Sequence, residues 1–321
     1  MREVLHLLRD GEFHSGEALG ALLGVSRAAV WKRLEHLESA LGLSIHRVRG
    51  RGYRLASPLS LLEQEELVSE SLAAGWCAEV LEVVDSTNAE VLRRLAVGAP
   101  APLLVLAESQ EGGRGRRGRA WVSPFAENLY YSLGLRLEGG AFSLDGLSLT
   151  VGLAVLRSLR EAGLVEAGVK WPNDLLVEGR KIAGVLLELS GDPAGACQVA
   201  IGIGVNVNML PGPSVAIDQP WTSVRECCAR LVDRTALALA LGRWLRHYLD
   251  LHEKGGFAAL RDEWEACHLW QGREVSLLAG PQRIDGVVLG VDHLGALRLN
   301  VAGQDRQYSG GELSLRLRDD S

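Results

Sequence analysis

Along residues 1–8 the apolar positions Val4, Leu5, Leu7 and Leu8 mark one face of a helix. The segment SGEALGALLGVSRAAVWKRLEHL continues with a short helix, a turn at Gly24-Val25 and a second helix. Ser26 stands where that second helix needs an N-cap, since its side-chain oxygen can accept an unsatisfied backbone N–H of the first turn. Val30, Leu34, Leu37 and Leu41 are spaced four, three and four apart, so they share a buried face. Arg27, Ala28, Trp31 and Lys32 are left at the exposed N-terminal end, with Arg33 adjoining. LSIHRV, RGRG and YRL then predict a β-hairpin with Arg47, Arg49 and Arg51 near its tip. A basic hairpin beside an exposed recognition helix predicts a winged helix-turn-helix, with helix on base edges and wing on phosphate. Its candidate DNA contacts are Ser26, Arg27, Ala28, Trp31, Lys32, Arg33, Arg49 and Arg51. The alternative for this pattern is a small helical protein-interaction domain.

Beyond Pro58 the spacing of Ser60 and Glu63 matches a capping box, predicting a helix start and a domain boundary. EVLEVVD reads as a strand and TNAEVLRRLA as a helix capped through Thr87 and Glu90. LLVLAES and NLYYSLGLRL read as strands, and residues 145–162 as a helix. VKWP, LLV, KIAGVLLEL and QVAIGIGVNVN follow with short connections, which favour antiparallel neighbours. Residues 272–317 hold short apolar runs broken by glycines, as in a small β-barrel of SH3-like size. The reading is a multidomain α+β chain: a winged helix over 1–58, a mixed or antiparallel sheet domain over 59–268 and a small β domain over 269–321.

Charge sharpens this division. The net charge is −6, yet residues 1–56 carry nine Arg/Lys against six Asp/Glu, or +3, leaving −9 on the remainder. A basic end on an acidic body fits a nucleic-acid module joined to something else. The uncharged stretch Val199–Ile217 is interrupted by Asn206, Asn208, Pro211 and Pro213, so it does not read as a membrane span. The opening residues carry charge within the apolar pattern, unlike a secretory signal. Cys77, Cys197, Cys227, Cys228 and Cys267 lack zinc-ligand spacing and fit buried thiols of a reducing cytoplasm.

Three segments carry candidate chemistry. In GGRGRRGRAW (112–121), Arg114, Arg116, Arg117 and Arg119 alternate with glycines. Glycine lets backbone N–H groups approach a ligand, and guanidinium forks suit phosphate and carboxylate. Such dense like charge predicts a loop that is mobile until an anion arrives; the plain alternative is a solvated basic loop. Gly113, Gly115 and Gly118 match G-x-G-x-x-G, but Pro124 and a strand follow where a dinucleotide fold requires a helix. No Walker lysine or kinase catalytic motif is present. In VKWPNDLLVEGRKIAGVLLE (169–188), Lys170, Asn173, Asp174 and Lys181 stand among apolar strands, with Gly184 leaving room beside Lys181. Charges so placed are costly to bury unpaired, which favours a site over a structural Asp174–Lys170 pair. In IGIGVNVN, Gly202 and Gly204 signal close approach within a strand, and Asn206 adds an amide.

GGRGRRGRAW, KWPNDLLVEGRKIAGVLLE, DSTN at 85–88 and the closing GGELSLR together resemble the biotin protein ligase family. With SGEALGALLGVSRAAVWKRLEHL in front, the chain resembles its bifunctional form, which is also a biotin operon repressor. The resemblance implies a centre like class II aminoacyl-tRNA synthetases, with ATP, Mg²⁺ and biotin as reactants and corepressor. It implies no protein-bound metal beyond the Mg²⁺ that accompanies ATP. Its expected partners are the biotin carrier protein of acetyl-CoA carboxylase, operator DNA and a second copy joined in an adenylate-promoted homodimer. By the family pattern Ser86, Thr87, Asn88, Gln110, Arg114, Gly115, Arg116, Lys181 and Gly184 meet biotin. Arg116, Arg119, Trp121, Asn173, Asn206 and Trp221 meet the nucleotide, and Arg116, Lys181 and Asp174 serve catalysis. In the tail, Glu312 and Arg316 carry over, while Ser276 stands where relatives can hold a basic residue. Rival readings are a sensor repressor without turnover, a ligase with a vestigial helix-turn-helix, and a lipoate-type ligase.

Overall fold

The computed structural model describes residues 2–137, 144–191, 197–212, 217–309 and 313–318. At the N-terminus α1 (Arg2–Leu8), α2 (Gly16–Leu23) and α3 (Arg27–Leu41) pack with the antiparallel hairpin β1 (Ile45–Val48) and β2 (Gly52–Leu55). Ser15 and Ser26 cap α2 and α3, accepting from Ala18 N at 3.0 Å and Ala29 N at 3.3 Å. Val30, Leu34 and Leu37 are buried as their spacing predicts. Phe125 and Ala126 belong to this same apolar core. The chain leaving the arginine–glycine segment is therefore built into the N-terminal unit, which no local pattern foretold.

The capping box at Ser60–Glu63 does not form. α4 (Gln64–Ala73) begins after Glu63, which makes no side-chain cap bond. Ser60 Oγ instead accepts the backbone N–H of Arg234 at 2.9 Å, a long-range partner that displaced the local one. β3 (Cys77–Val84), α5 (Thr87–Ala96) and β4 (Leu103–Gln110) form a parallel crossover, the connection parallel strands require. The cap of α5 is Ser86, one residue before the predicted Thr87.

β5 (Leu129–Leu137), α6 (Leu147–Glu161), β6 (Gly168–Lys170), β7 (Asp174–Val177), β8 (Arg180–Gly191) and β9 (Cys197–Val205) complete the central layer. Among the described residues its sheet runs β3-β4-β5-β9-β8-β7-β6 and is mixed, all pairs except β3–β4 being antiparallel. α6 is buried on nearly every side because it lies between the sheet and α8 (Arg234–Gly255). The short α7 (Val224–Cys228) precedes α8, and α9 (Arg261–Cys267) leads out of the layer. β10 (Glu274–Ala279), β11 (Gln282–Val291), β12 (Leu297–Val301), β13 (Gln304–Tyr308) and β14 (Leu313–Leu317) form an antiparallel C-terminal sheet ordered β13-β12-β11-β10-β14. Its core is continuous with the central one, and Trp171 Nε1 donates to Gly295 O at 3.1 Å across the junction. No helix of the described residues is long and apolar enough to cross a membrane. Of the cysteines, all free, only Cys197 is fully buried.

Candidate active site and nucleic-acid face

A cavity of about 380 Å³ opens where β4, α5, β7, β8 and β9 converge, and the arginine–glycine segment covers it. Leu313, Ser314 and Leu315 of β14 close one wall, so the C-terminal sheet is part of the site. Every residue that the family pattern assigns to biotin, nucleotide or catalysis in the central domain lines this cavity.

One end is polar and neutral. Ser86, Thr87 and Asn88 are buried at the start of α5. The Thr87 backbone N–H and Oγ1 both donate to Gln110 Oε1, at 2.9 and 3.1 Å, and Gln110 Nε2 donates to Ser123 Oγ at 3.0 Å. Ser132 Oγ, fully buried on β5, lies 2.7 Å from both Thr87 Oγ1 and Asn88 Oδ1. Asn88 Nδ2 donates to Glu188 Oε2 at 2.8 Å, and Glu188 also pairs with Arg114 at 3.2 Å. Sequence reasoning missed Ser132 and Glu188. Ser132 is one hydroxyl inside an apolar strand, and only the fold sets it opposite DSTN. Gly202 is required here, since a Cβ on it would stand 2.5 Å from Asn88 Oδ1.

The other end gathers cations. Lys181 Nζ is 2.6 Å from Asp174 Oδ1, and Lys170 Nζ is 4.0 Å from Asp174 Oδ2. The carboxylate thus sits between two ammonium groups, with Lys181 rather than Lys170 as its close partner. Lys170 also lies over the Trp270 ring at 4.6 Å. Arg116 donates to Asn173 Oδ1 at 2.9 Å and to Leu313 O at 3.4 Å. Burial pushes the pKa of both Arg116 and Lys170 down, with Asp174 opposing the fall. Cations held in such poorly hydrated surroundings favour an incoming anion. The arginine–glycine segment folds over the cavity, where Glu188 and Asn173 give Arg114 and Arg116 partners while Arg117 and Arg119 remain exposed.

Trp121 separates the two ends. Its indole presses on β9 where a Cβ at Gly204 would stand 2.4 Å away, and Lys181 Nζ lies 5.5 Å from its ring centre. Among the described residues Trp121 Nε1 is buried against β9 at Gly204 without a hydrogen-bond partner. Asn206 Nδ2 donates to Thr222 O at 3.1 Å, the Thr222 N–H donates to Lys181 O at 2.9 Å and the Lys181 N–H to Pro220 O at 3.0 Å. These bonds pin Trp221 at the cavity edge. Glu312 lies outside the described residues. Arg316 is exposed on β14 opposite Ser276, whose buried hydroxyl donates to Asp285 Oδ1 at 2.6 Å.

On the N-terminal unit Arg27, Ala28, Trp31 and Lys32 are exposed on α3, and Arg33 is half-buried. The hairpin differs from expectation. Arg47 is drawn into an ion pair with Glu38, and Arg51 stacks 4.1 Å over the Phe13 ring. Among the described residues Arg49 has neither kind of partner and stays at the tip.

The fold and this site define a ligase-type catalytic domain behind a helix-turn-helix. Residues 80–206 match the model of the biotin/lipoate A/B protein ligase family, and residues 1–54 match that of an HTH domain. The bifunctional ligase/repressor BirA of Escherichia coli is 41% identical over 98% of this chain and 96% of its own length. Its Bacillus subtilis counterpart is 31% identical, covering 90% and 89%. A biotin protein ligase from Aquifex aeolicus in complex with biotin and ATP superposes with a TM-score of 0.66 at 30% identity, over 75% of this chain and 98% of that one. The chain belongs to the biotin protein ligase family, in its bifunctional ligase/repressor branch.

Proposed function

We propose that this protein activates biotin with ATP as biotinyl-5′-AMP and transfers the biotinyl group to a lysine of a biotin carrier protein, typically that of acetyl-CoA carboxylase. Adenylate left unused makes the same chain a repressor of biotin-synthesis genes. The observation that carries the reading is one cavity whose neutral hydrogen-bonding end and cationic end meet beneath Trp121. The winged helix occupies 1–58, the catalytic domain 59–268 and the β domain 269–321.

Ser86, Thr87, Asn88 and Gln110 supply neutral donors and acceptors to the ureido ring, with Ser132 holding Thr87 and Asn88 in place. Arg114, Gly115, Arg116, Lys181 and Gly184 face the valeryl tail and its carboxylate. In the first step a carboxylate oxygen bonds to the α-phosphorus, the Pα–O–Pβ bond breaks and pyrophosphate leaves. Carboxylate and triphosphate repel each other, and Arg116, Arg119 and Lys181 offset that repulsion in a poorly hydrated site where fixed charge acts most strongly. Trp121, Asn173, Asn206 and Trp221 hold the nucleotide side. In the second step a carrier lysine amine bonds to the carbonyl carbon, AMP leaves and the amine proton is lost. Asp174 orients the amine or takes that proton, while Lys181 holds the carboxylate in place.

Mg²⁺ would enter with ATP as part of the substrate, and no step above runs through it. Adenylate-promoted homodimerisation would set two winged helices on a palindromic operator in the cytoplasm. Incubation with ATP, Mg²⁺, biotin and a carrier domain should give a streptavidin-positive carrier, and an operator gel shift should strengthen with biotin. No biotin-dependent pyrophosphate from folded protein would end the reading. The arginine–glycine cover predicts that Arg116→Gly still forms adenylate but releases it to label stray lysines; labelling confined to the carrier would remove its guarding role.

A further inference from the structure

α3 buries Val30, Leu34 and Leu37 and turns Ala28, Trp31, Lys32 and Glu35 outward, one helical face at i, i+3, i+4 and i+7. Trp31 is 44% exposed on this face, where an indole carries far more apolar surface than the unit's other exposed apolar side chains, Leu22 and Val48. Among the described residues no ring or cation stacks on it. Ala28, one turn earlier, is small, while Arg27 and Lys32 flank the indole with positive charge and Glu35 lies one turn on. None of the residues on this face is an Asn or Gln, the amides that would pair bidentately with adenine. Cations around an exposed indole match a duplex, whose phosphates flank base edges in the major groove.

Among base edges one fits an indole in both respects. Thymine presents a C5 methyl beside an O4 acceptor; the methyl suits an apolar ring and the acceptor suits its N–H, which can only donate. Cytosine presents an N4 donor there, which the indole N–H cannot pair. We infer that Trp31 is the specificity-determining residue of the DNA-binding face, reading the methyl and O4 of one thymine in each operator half-site. This rests on the repressor reading and adds to it the base that is read.

The test uses the full chain with biotin and ATP. Duplexes are selected from a randomised library, and each thymine of the selected site is then replaced singly by deoxyuridine, which keeps O4 and loses the methyl. One replacement per half-site should weaken binding by about five- to tenfold. Trp31→Ala, checked for an unchanged melting temperature, should bind more weakly but treat thymine and uracil alike at that position. Its slope of affinity against salt should match the parent, because no phosphate contact is lost. Replacement by 5-methylcytosine, paired with guanine, should not restore binding, since its methyl is accompanied by a donor. If Trp31→Ala discriminates thymine from uracil as the parent does, or if uracil is tolerated throughout, the inference fails while the repressor reading stands. If Trp31→Ala does not fold, Trp31→Phe serves: it should keep the methyl preference and bind more weakly. A Trp31→Phe protein without that preference would overturn the inference. If no duplex is enriched although biotin transfer proceeds, the repressor reading fails and takes the inference with it.

Discussion

Two of the cation–carboxylate pairs in the central domain are set apart by their surroundings. Arg234 is fully buried and pairs with Glu108 at 2.5 Å. Its Nε donates to Asn128 O and its Nη1 also to Ser60 O, both at 2.9 Å, and Glu108 Oε1 accepts the Leu62 N–H at 2.7 Å. Among the described residues Nη2 of Arg234 is buried without a hydrogen-bond partner, yet the bonds of Nε and Nη1 bolt the sheet to the segment leading from the N-terminal unit. Lys181 and Asp174 are 16% and 17% exposed and face a cavity. The second carboxylate oxygen faces Lys170 Nζ at 4.0 Å, and all three residues line the cavity. A buried ion pair closed on all sides contributes architecture, whereas one open to a cavity is available for chemistry.

The largest effect should come from breaking the closed pair. Arg234→Ala strands the Glu108 carboxylate and should lower unfolding free energy by about 3–5 kcal/mol in denaturant titrations. Joining it with Glu108→Leu should recover much of that, and a single variant as stable as the parent would erase the contrast. Next, Lys181→Gln should slow biotin-dependent pyrophosphate exchange by about 10²–10³-fold. Its stability should change by less than about 1 kcal/mol, since water reaches Asp174 and Lys170 remains nearby. A protein that lost stability instead would place this pair with the first.

His268 extends the contrast to a closed site with one titrating group. It is buried and stacked 4.7 Å from Trp264, and burial pushes its pKa down from 6.5 to about 4. The unfolded chain takes up the proton first, so stability is complete above pH 6.5 and is lost as pH falls toward 4. The loss should amount to about 3 kcal/mol. Denaturation midpoints across that window measure it, and His268→Gln should flatten the slope. The smallest effect is that of Asp174→Asn, expected to cost about tenfold in rate. Equal losses in adenylation and transfer mean that it positions Lys181; a loss in transfer alone means that it serves the incoming amine.

Much of the site was legible because its residues sit in short segments whose composition conflicts with a plain core. Arginines between glycines, lysines within apolar strands and glycines inside a strand each violate a local rule, and the cavity explains all three. Ser132 and Glu188 violated none, since a serine or glutamate along a strand is unremarkable until its neighbours are known. The wing was legible as a hairpin but not in its contacts: Glu38 and Phe13 that engage Arg47 and Arg51 come from other elements. Ser60 misled for the same reason, because Arg234 lies 174 residues away.

Periodicity and capping chemistry in the chain itself determined where helices and strands form, because those signals act over a few residues. Family membership too was written there, in long motifs kept in order. What folding alone decided is which distant groups meet: the strand roof over the cavity, Phe125 in the N-terminal core, and the choice of Lys181 as partner for Asp174. Burial and hydrogen bonding select such partners by distance in space, a quantity that sequence separation does not contain.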